Sequence, residues 1–127
     1  MWIKIKFVSI DNEDDIVTGN WKIKPINCKS DKEEQYGFRL VIEDTSVVFI
    51  GDEPYKDDLL QQCTGTTFFI HNAFCLEKDK EIFTPHKIHH STVKDAAENA
   101  KKLNVKNLIL FHTEDKSTYG RRKEIYK

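Results

Sequence analysis

Ser91-Thr92-Val93-Lys94-Asp95-Ala96-Ala97-Glu98-Asn99-Ala100-Lys101-Lys102-Leu103-Asn104-Val105-Lys106-Asn107-Leu108-Ile109-Leu110-Phe111-His112 is the stretch on which the fold class turns. Ser91 or Thr92 is suited to cap a helix, and Thr92 followed by Asp95 has the spacing of a reciprocal capping pair. Val93, Ala96, Ala97, Ala100 and Leu103 recur at the three-four spacing of one buried helical stripe. Asn104 tolerates the left-handed turn that ends a helix. Residues 107–112 then form a short apolar run between polar residues, which predicts a strand. Upstream, Thr67-Phe68-Phe69-Ile70-His71-Asn72 is a second such run. A strand, a helix and a strand in that order imply a parallel pair with a crossover, hence an α/β domain.

Further toward the N-terminus, Val47-Val48-Phe49-Ile50-Gly51-Asp52 is a third apolar run, and its lack of alternation predicts burial on both faces. Phe38, Leu40 and Ile42 alternate with Arg39, Val41 and Glu43, and the turn at Glu43-Asp44-Thr45-Ser46 joins the two strands as a hairpin. Residues 27–35 are polar and predict a loop. Ile16-Val17-Thr18 and Trp21-Lys22-Ile23-Lys24-Pro25-Ile26 flank a Gly19-Asn20 turn, with Pro25 pointing to an edge position or a strand end. Ile3, Ile5 and Phe7 alternate with Lys4 and Lys6, so residues 2–10 read as a half-buried strand. Residues 56–63 have weak helical character, broken at Gly65. Residues 75–90 show no period and contain Pro85, which predicts the longest irregular excursion of the chain. The sum is a mixed sheet with helices on one face.

With 127 residues, the chain suits a single domain, 1–127. Its 39% apolar and 32% charged residues exclude a disordered chain. A net charge of −1 favours neither nucleic acid nor an acidic membrane as partner. The basic run Arg121-Arg122-Lys123 reads as a solvated tail. The three cysteines, Cys28, Cys63 and Cys75, form no Cys-x-x-Cys pair, so reduced thiols in a cytoplasmic protein are the simplest reading. Charges inside the first apolar stretch argue against a signal peptide, and no run is long enough to span a membrane.

Three polar residues stand at predicted strand ends: Asp52, His71 and His112. Ligands gather beyond the carboxyl ends of strands in open α/β sheets. His89-His90 directly precede a helix N-terminus, where partial positive charge favours anions. A carboxylate and several imidazoles on one sheet edge have the donor chemistry of a transition-metal site. Each also has a plainer reading: Asp52 as a turn residue, His112 as a strand cap, His89-His90 as loop or capping residues, Cys63 and Cys75 as core.

Taken together, Gly37-Phe38-Arg39-Leu40, Phe49-Ile50-Gly51-Asp52-Glu53-Pro54, Asn72-Ala73-Phe74-Cys75, His89-His90-Ser91-Thr92-Val93-Lys94-Asp95-Ala96-Ala97 and Leu108-Ile109-Leu110-Phe111-His112-Thr113-Glu114-Asp115 resemble the metallo-β-lactamase superfamily. The His-Ser-Thr loop is similar to that of its tRNA 3′-processing-endonuclease branch, and Arg122-Lys123-Glu124-Ile125-Tyr126 resembles a bacterial subgroup. The resemblance runs from about Trp21 to the end and corresponds to the C-terminal half of an αββα sandwich. It implies that Asp52 bridges two metal ions, with zinc the expected cofactor, that His112 is a terminal metal ligand, and that His90 donates a proton to the leaving group.

The departures are as informative. The family's His-x-His-x-Asp-His motif is absent, and the loop that should carry its middle histidine reads Asn27-Cys28-Lys29-Ser30-Asp31. The Glu that orients the His-Ser-Thr histidine is replaced by Asn72. The resemblance therefore implies a metal-dependent phosphodiester or ester hydrolase that is incomplete and inactive as this chain alone. The alternative is a non-catalytic binding or structural module derived from the same fold. A half sandwich would expose a sheet face, so a homodimer or the missing N-terminal half is the expected partner.

Overall fold

The computed structural model describes residues 7, 9 and 14–114. Apart from Phe7 and Ser9, the strand expected over 2–10 lies outside the described residues, as does Arg121-Arg122-Lys123. Among the described residues, six strands form one sheet in sequence order: β1 (Ile16–Thr18), β2 (Trp21–Asn27), β3 (Tyr36–Ile42), β4 (Thr45–Phe49), β5 (Phe68–Asn72) and β6 (Asn107–Phe111). The first four pair antiparallel, and β4, β5 and β6 pair parallel. The sheet is therefore mixed, as expected. The parallel part begins where connections become long enough to cross over: a 3₁₀ turn (Asp57–Leu59) and α1 (Leu60–Cys63) join β4 to β5. The helix α3 (Val93–Lys102) leads from β5 back to β6.

The hairpin between β3 and β4 depends on one glycine. A Cβ at Gly37 would stand 2.1 Å from the Phe49 carbonyl oxygen and 2.8 Å from the Ile50 Cα, both backbone atoms that cannot swing away. Pro25 sits inside β2 opposite Phe38, and β1 reaches only as far as Ile23 in register. Among the described residues it thus has a strand neighbour on the β3 side alone, which is where a strand tolerates a missing N–H.

Ile26, Cys28, Val48, Ile50, Leu59, Cys63, Phe69 and Leu103 make the core. Each large side chain buried there contributes about 1.5–3 kcal/mol. Leu103 ends α3, so this is the face that the helix covers. Arg39 Nη1 donates to the Gln62 carbonyl at 2.7 Å, tying the first crossover to the sheet, and Gly65 N–H donates to the Leu103 carbonyl at 2.9 Å, tying the two crossovers to each other. Thr92 caps α3 with a complete capping box: its side chain accepts from Asp95 N–H at 3.1 Å, and Asp95 accepts from Thr92 N–H at 2.8 Å. Asn104 follows with φ +51, the expected left-handed stop. The stripe is narrower than its spacing predicts, because Ala96 and Ala100 are buried while Ala97 is exposed.

The opposite sheet face differs from expectation. Val48 and Ile50 are fully buried, but Val47 and Phe49 are only half-buried, so β4 is covered on one face among the described residues. Cross-strand pairing lines up two apolar rows on the uncovered side: Ile16, Ile23, Leu40, Val47 and Phe68, then Pro25, Phe38, Phe49, Ile70 and Ile109. Phe49 lies between Phe38 and Phe111, at ring distances of 5.6 and 5.2 Å. The excursion over 75–90 is also not irregular. It is a chain of short helical pieces, Glu77–Asp79, α2 (Lys80–Phe83) and Pro85–Ile88, with left-handed residues at Thr84 and His89 providing the breaks.

Candidate metal centre

Gly51, at φ +70, turns the chain out of β4, and Asp52 follows at its tip. His112 follows β6 directly and itself adopts φ +54, a left-handed conformation uncommon outside glycine. Its Nδ1 meets Asp52 Oδ1 in a direct hydrogen bond. His90 comes in from the segment between Pro85–Ile88 and α3, with Nδ1 3.4 Å from the same Asp52 oxygen. One potential ligand atom from each of the three lies within 4.8 Å of the other two. Asp52 and His112 have side chains 45% and 40% exposed, whereas that of His90 is 9% exposed.

The rings pack as a block. His90 stacks on Phe74 with centroids 5.0 Å apart and planes 10° apart, and meets His112 edge-on at 4.7 Å. Phe74 also stands edge-on to His112 at 5.8 Å. Asn72, fully buried, holds His90 from the other side. Its Oδ1 accepts from Ser91 N–H at 3.0 Å, and its amide nitrogen donates to His90 Nδ1 at 3.1 Å. Burial lowers the His90 pKa, His112 and Lys32 push the same way, and Asp52 and Glu53 oppose them.

The structure brings Asp52, His90 and His112 together but separates His71 from them. His71 and Asn72 are neighbours on a strand, so their side chains leave opposite faces of the sheet. The Nδ1–H of His71 donates to the Asn72 carbonyl at 2.6 Å, while its Nε2 accepts from the Asn99 amide on α3 at 3.3 Å. It is fully buried on the helix side, and burial lowers its pKa. His89 is not in the cluster either; its Nδ1 lies 4.0 Å from Asp31.

The 27–35 loop contributes no donor to the cluster. Cys28 is fully buried with Sγ donating to the Ile50 carbonyl at 3.0 Å, and burial raises its pKa. Cys63 and Cys75 are buried too, and burial pushes their thiols up to about 12 and about 11, so all three cysteines are core thiols rather than thiolates. The loop is held by Ser30, which donates to Glu53 Oε1 at 2.9 Å, and by Lys56, which reaches both the Lys29 carbonyl and Asp31. Glu53 is fully buried, and its Oε2 has no hydrogen-bond partner among the described residues.

Asp52 and His112 supply donors of the type that a borderline transition metal takes. His90 Nδ1 lies 3.1 Å from the Asn72 amide nitrogen and 3.4 Å from Asp52 Oδ1. Catalytic zinc normally takes three protein ligands, so the pair fits part of a site. Phe74, the Ser30–Glu53 pair and Gly37 were not singled out from the sequence as parts of the site or its support. Aromatic stacking and steric contact leave no spacing signal that could have marked them.

Comparison with known proteins adds an independent line. A ribonuclease Z from Brevibacillus brevis is 36% identical over 66 residues, which cover 52% of this chain and 20% of that protein. The metallo-beta-lactamase fold protein YhfI from Bacillus subtilis superposes with a TM-score of 0.74 at 16% identity, over 95% of this chain and 47% of that one. The short form of human tRNase Z superposes with a TM-score of 0.68 at 21% identity, over 82% of this chain and 41% of that one. The chain therefore spans less than half the length of these relatives. The family described as Beta-lactamase superfamily domain matches residues 3–113, and with the mixed sheet and the strand-tip cluster in place, this chain belongs to the metallo-β-lactamase superfamily.

Proposed function

We propose that this chain forms the Asp52–His112 side of a metal-dependent hydrolase that acts on phosphodiesters or related esters, with zinc as its metal. The observation that supports this most is the convergence of Asp52, His90 and His112 within 4.8 Å, from positions 22 to 60 residues apart in sequence. The likeness to a ribonuclease Z favours a phosphodiester over other esters. Asp52 and His112 would hold the metal, which supplies Lewis acidity and a hydroxide near neutral pH. Phe74 and Asn72 fix the His90 ring beside them, so its position does not depend on substrate. The remaining ligands come from a second sheet layer that covers the rows of Phe38, Phe49 and Ile70, the part that corresponds to the N-terminal half of the fold. The chain by itself is then inactive.

Zinc content after dialysis, and hydrolysis of a nitrophenyl phosphodiester, test this reading on the chain alone and on the chain co-expressed with the coding sequence upstream of it. Activity is expected only in the second case, and Asp52→Ala should abolish it. Background hydrolysis in both would end the hydrolase reading. A second reading is a non-catalytic binding module, favoured by the 27–35 loop, which is built around Ser30, Glu53 and Lys56 and offers no imidazole. It predicts no zinc retained in either preparation.

A further inference from the structure

The orientation of the Asn72 amide is decided by its neighbours. A backbone N–H can only donate, so the atom facing Ser91 N–H at 3.0 Å is the Asn72 oxygen. The nitrogen then faces His90 Nδ1 at 3.1 Å, and an amide nitrogen can only donate. Were Nδ1 to carry a proton, two donors would meet at that distance in a buried place, and the Asn72 N–H would lose its partner. Asp52 Oδ1 is the competing acceptor for such a proton, but it lies farther, at 3.4 Å, and is already engaged by His112. Stacking on Phe74 and the edge contact with His112 keep the His90 ring from rotating away.

We infer that Asn72 is a positioning residue that fixes the His90 ring with Nδ1 as acceptor of its amide and the ring proton on Nε2. A carboxylate at this position would do the reverse: it would demand a proton on Nδ1 and stabilise the charged ring. The consequence, which rests on the hydrolase reading, is that the ring proton of His90 sits on Nε2, the nitrogen not held by Asn72.

The tautomer is measured on the full chain, ¹⁵N-labelled at histidine and kept metal-free with chelator, by two-bond proton–nitrogen correlation at pH about 8, above the ordinary imidazole range near 6.5. His90→Gln assigns the signals. The expected result is an unprotonated Nδ1 and a protonated Nε2 in the wild type, and the reverse in Asn72→Glu. A proton on Nδ1 in the wild type, or an Asn72→Glu ring unchanged from it, overturns the inference. Should Asn72→Glu not fold, Asn72→Leu replaces it: a fall in the share of the Nε2–H form supports the assignment, and an unchanged share overturns it. Neither readout depends on hydrolysis, so loss of the hydrolase reading would leave this one standing.

Discussion

Asp52 relies on the residue before it. Gly51 takes the left-handed conformation that turns the backbone at the tip of β4, which delivers the carboxylate to His112, 60 residues away. Asp52→Ala leaves this backbone intact, so it should weaken zinc retention by at least about tenfold with little change in melting temperature; unchanged uptake in competition with a chelating dye would remove Asp52 from the ligand set. His71 and His90 make a different prediction at the same scale. Burial lowers both pKa values, so in each case the unfolded chain takes up a proton before the folded one does. The stability they contribute is complete above the unfolded value of about 6.5 and is lost as pH falls below it. Urea midpoints should therefore drop between pH about 7.5 and about 5.5, a window above that in which carboxylates such as Asp95 titrate. His71→Phe should narrow the drop, and an equal drop in the variant would show that His71 is not its source.

At the scale of elements, α3 and the β3–β4 hairpin each depend on one local device. Thr92→Ala deletes the acceptor for Asp95 N–H and the Thr92 bond to Glu77 at 3.1 Å. The loss should be about 1 kcal/mol in urea unfolding, and Thr92→Ser should recover most of it. No measurable change would mean that the helix terminus is held by its packing instead. Gly37 and Gly19 form a matched pair. At Gly37 a methyl group meets the Phe49 carbonyl, and at Gly19, with φ +58, it meets nothing within 4 Å. Gly19→Ala should cost about 1 kcal/mol through its backbone conformation alone. Gly37→Ala should cost more than about 2 kcal/mol, or prevent folding, since a backbone carbonyl cannot repack as a side chain does. Equal costs would contradict the close approach of β3 and β4.

For the molecule as a whole, the sheet face left open among the described residues is the dominant feature. Trp21 and Ile109 are 46% and 44% exposed, and Phe38, Leu40, Val47, Phe49 and Ile70 beside them are only half-buried. A continuous apolar surface of this kind favours association. The isolated chain should therefore self-associate in light scattering, or capture the second sheet layer when both are present. Phe38→Lys with Phe49→Lys should abolish association while the circular dichroism of the fold persists, because neither ring belongs to the core around Phe69 and Leu103. A monomer in the unmodified chain at micromolar concentration would count against the proposed partner surface.

The sequence by itself determined α3 and the described strands. The spacing of Ala96, Ala100 and Leu103 gives α3 its buried stripe, Thr92 and Asn104 its ends, and the apolar runs through Val48, Phe69 and Leu108 the parallel strands. These are local properties, written in the periodicity with which side chains leave a helix or a strand. The unalternating runs also carry a signal for burial on two faces, of which the described residues cover one. Only the tertiary structure decided which strand-tip residues meet. His71 and Asn72 differ by one position, and strand parity sends the first to α3 and the second to His90. Asp52 and His112 meet because β5 lies between β4 and β6 in a parallel array, a pairing of distant segments that no local spacing encodes.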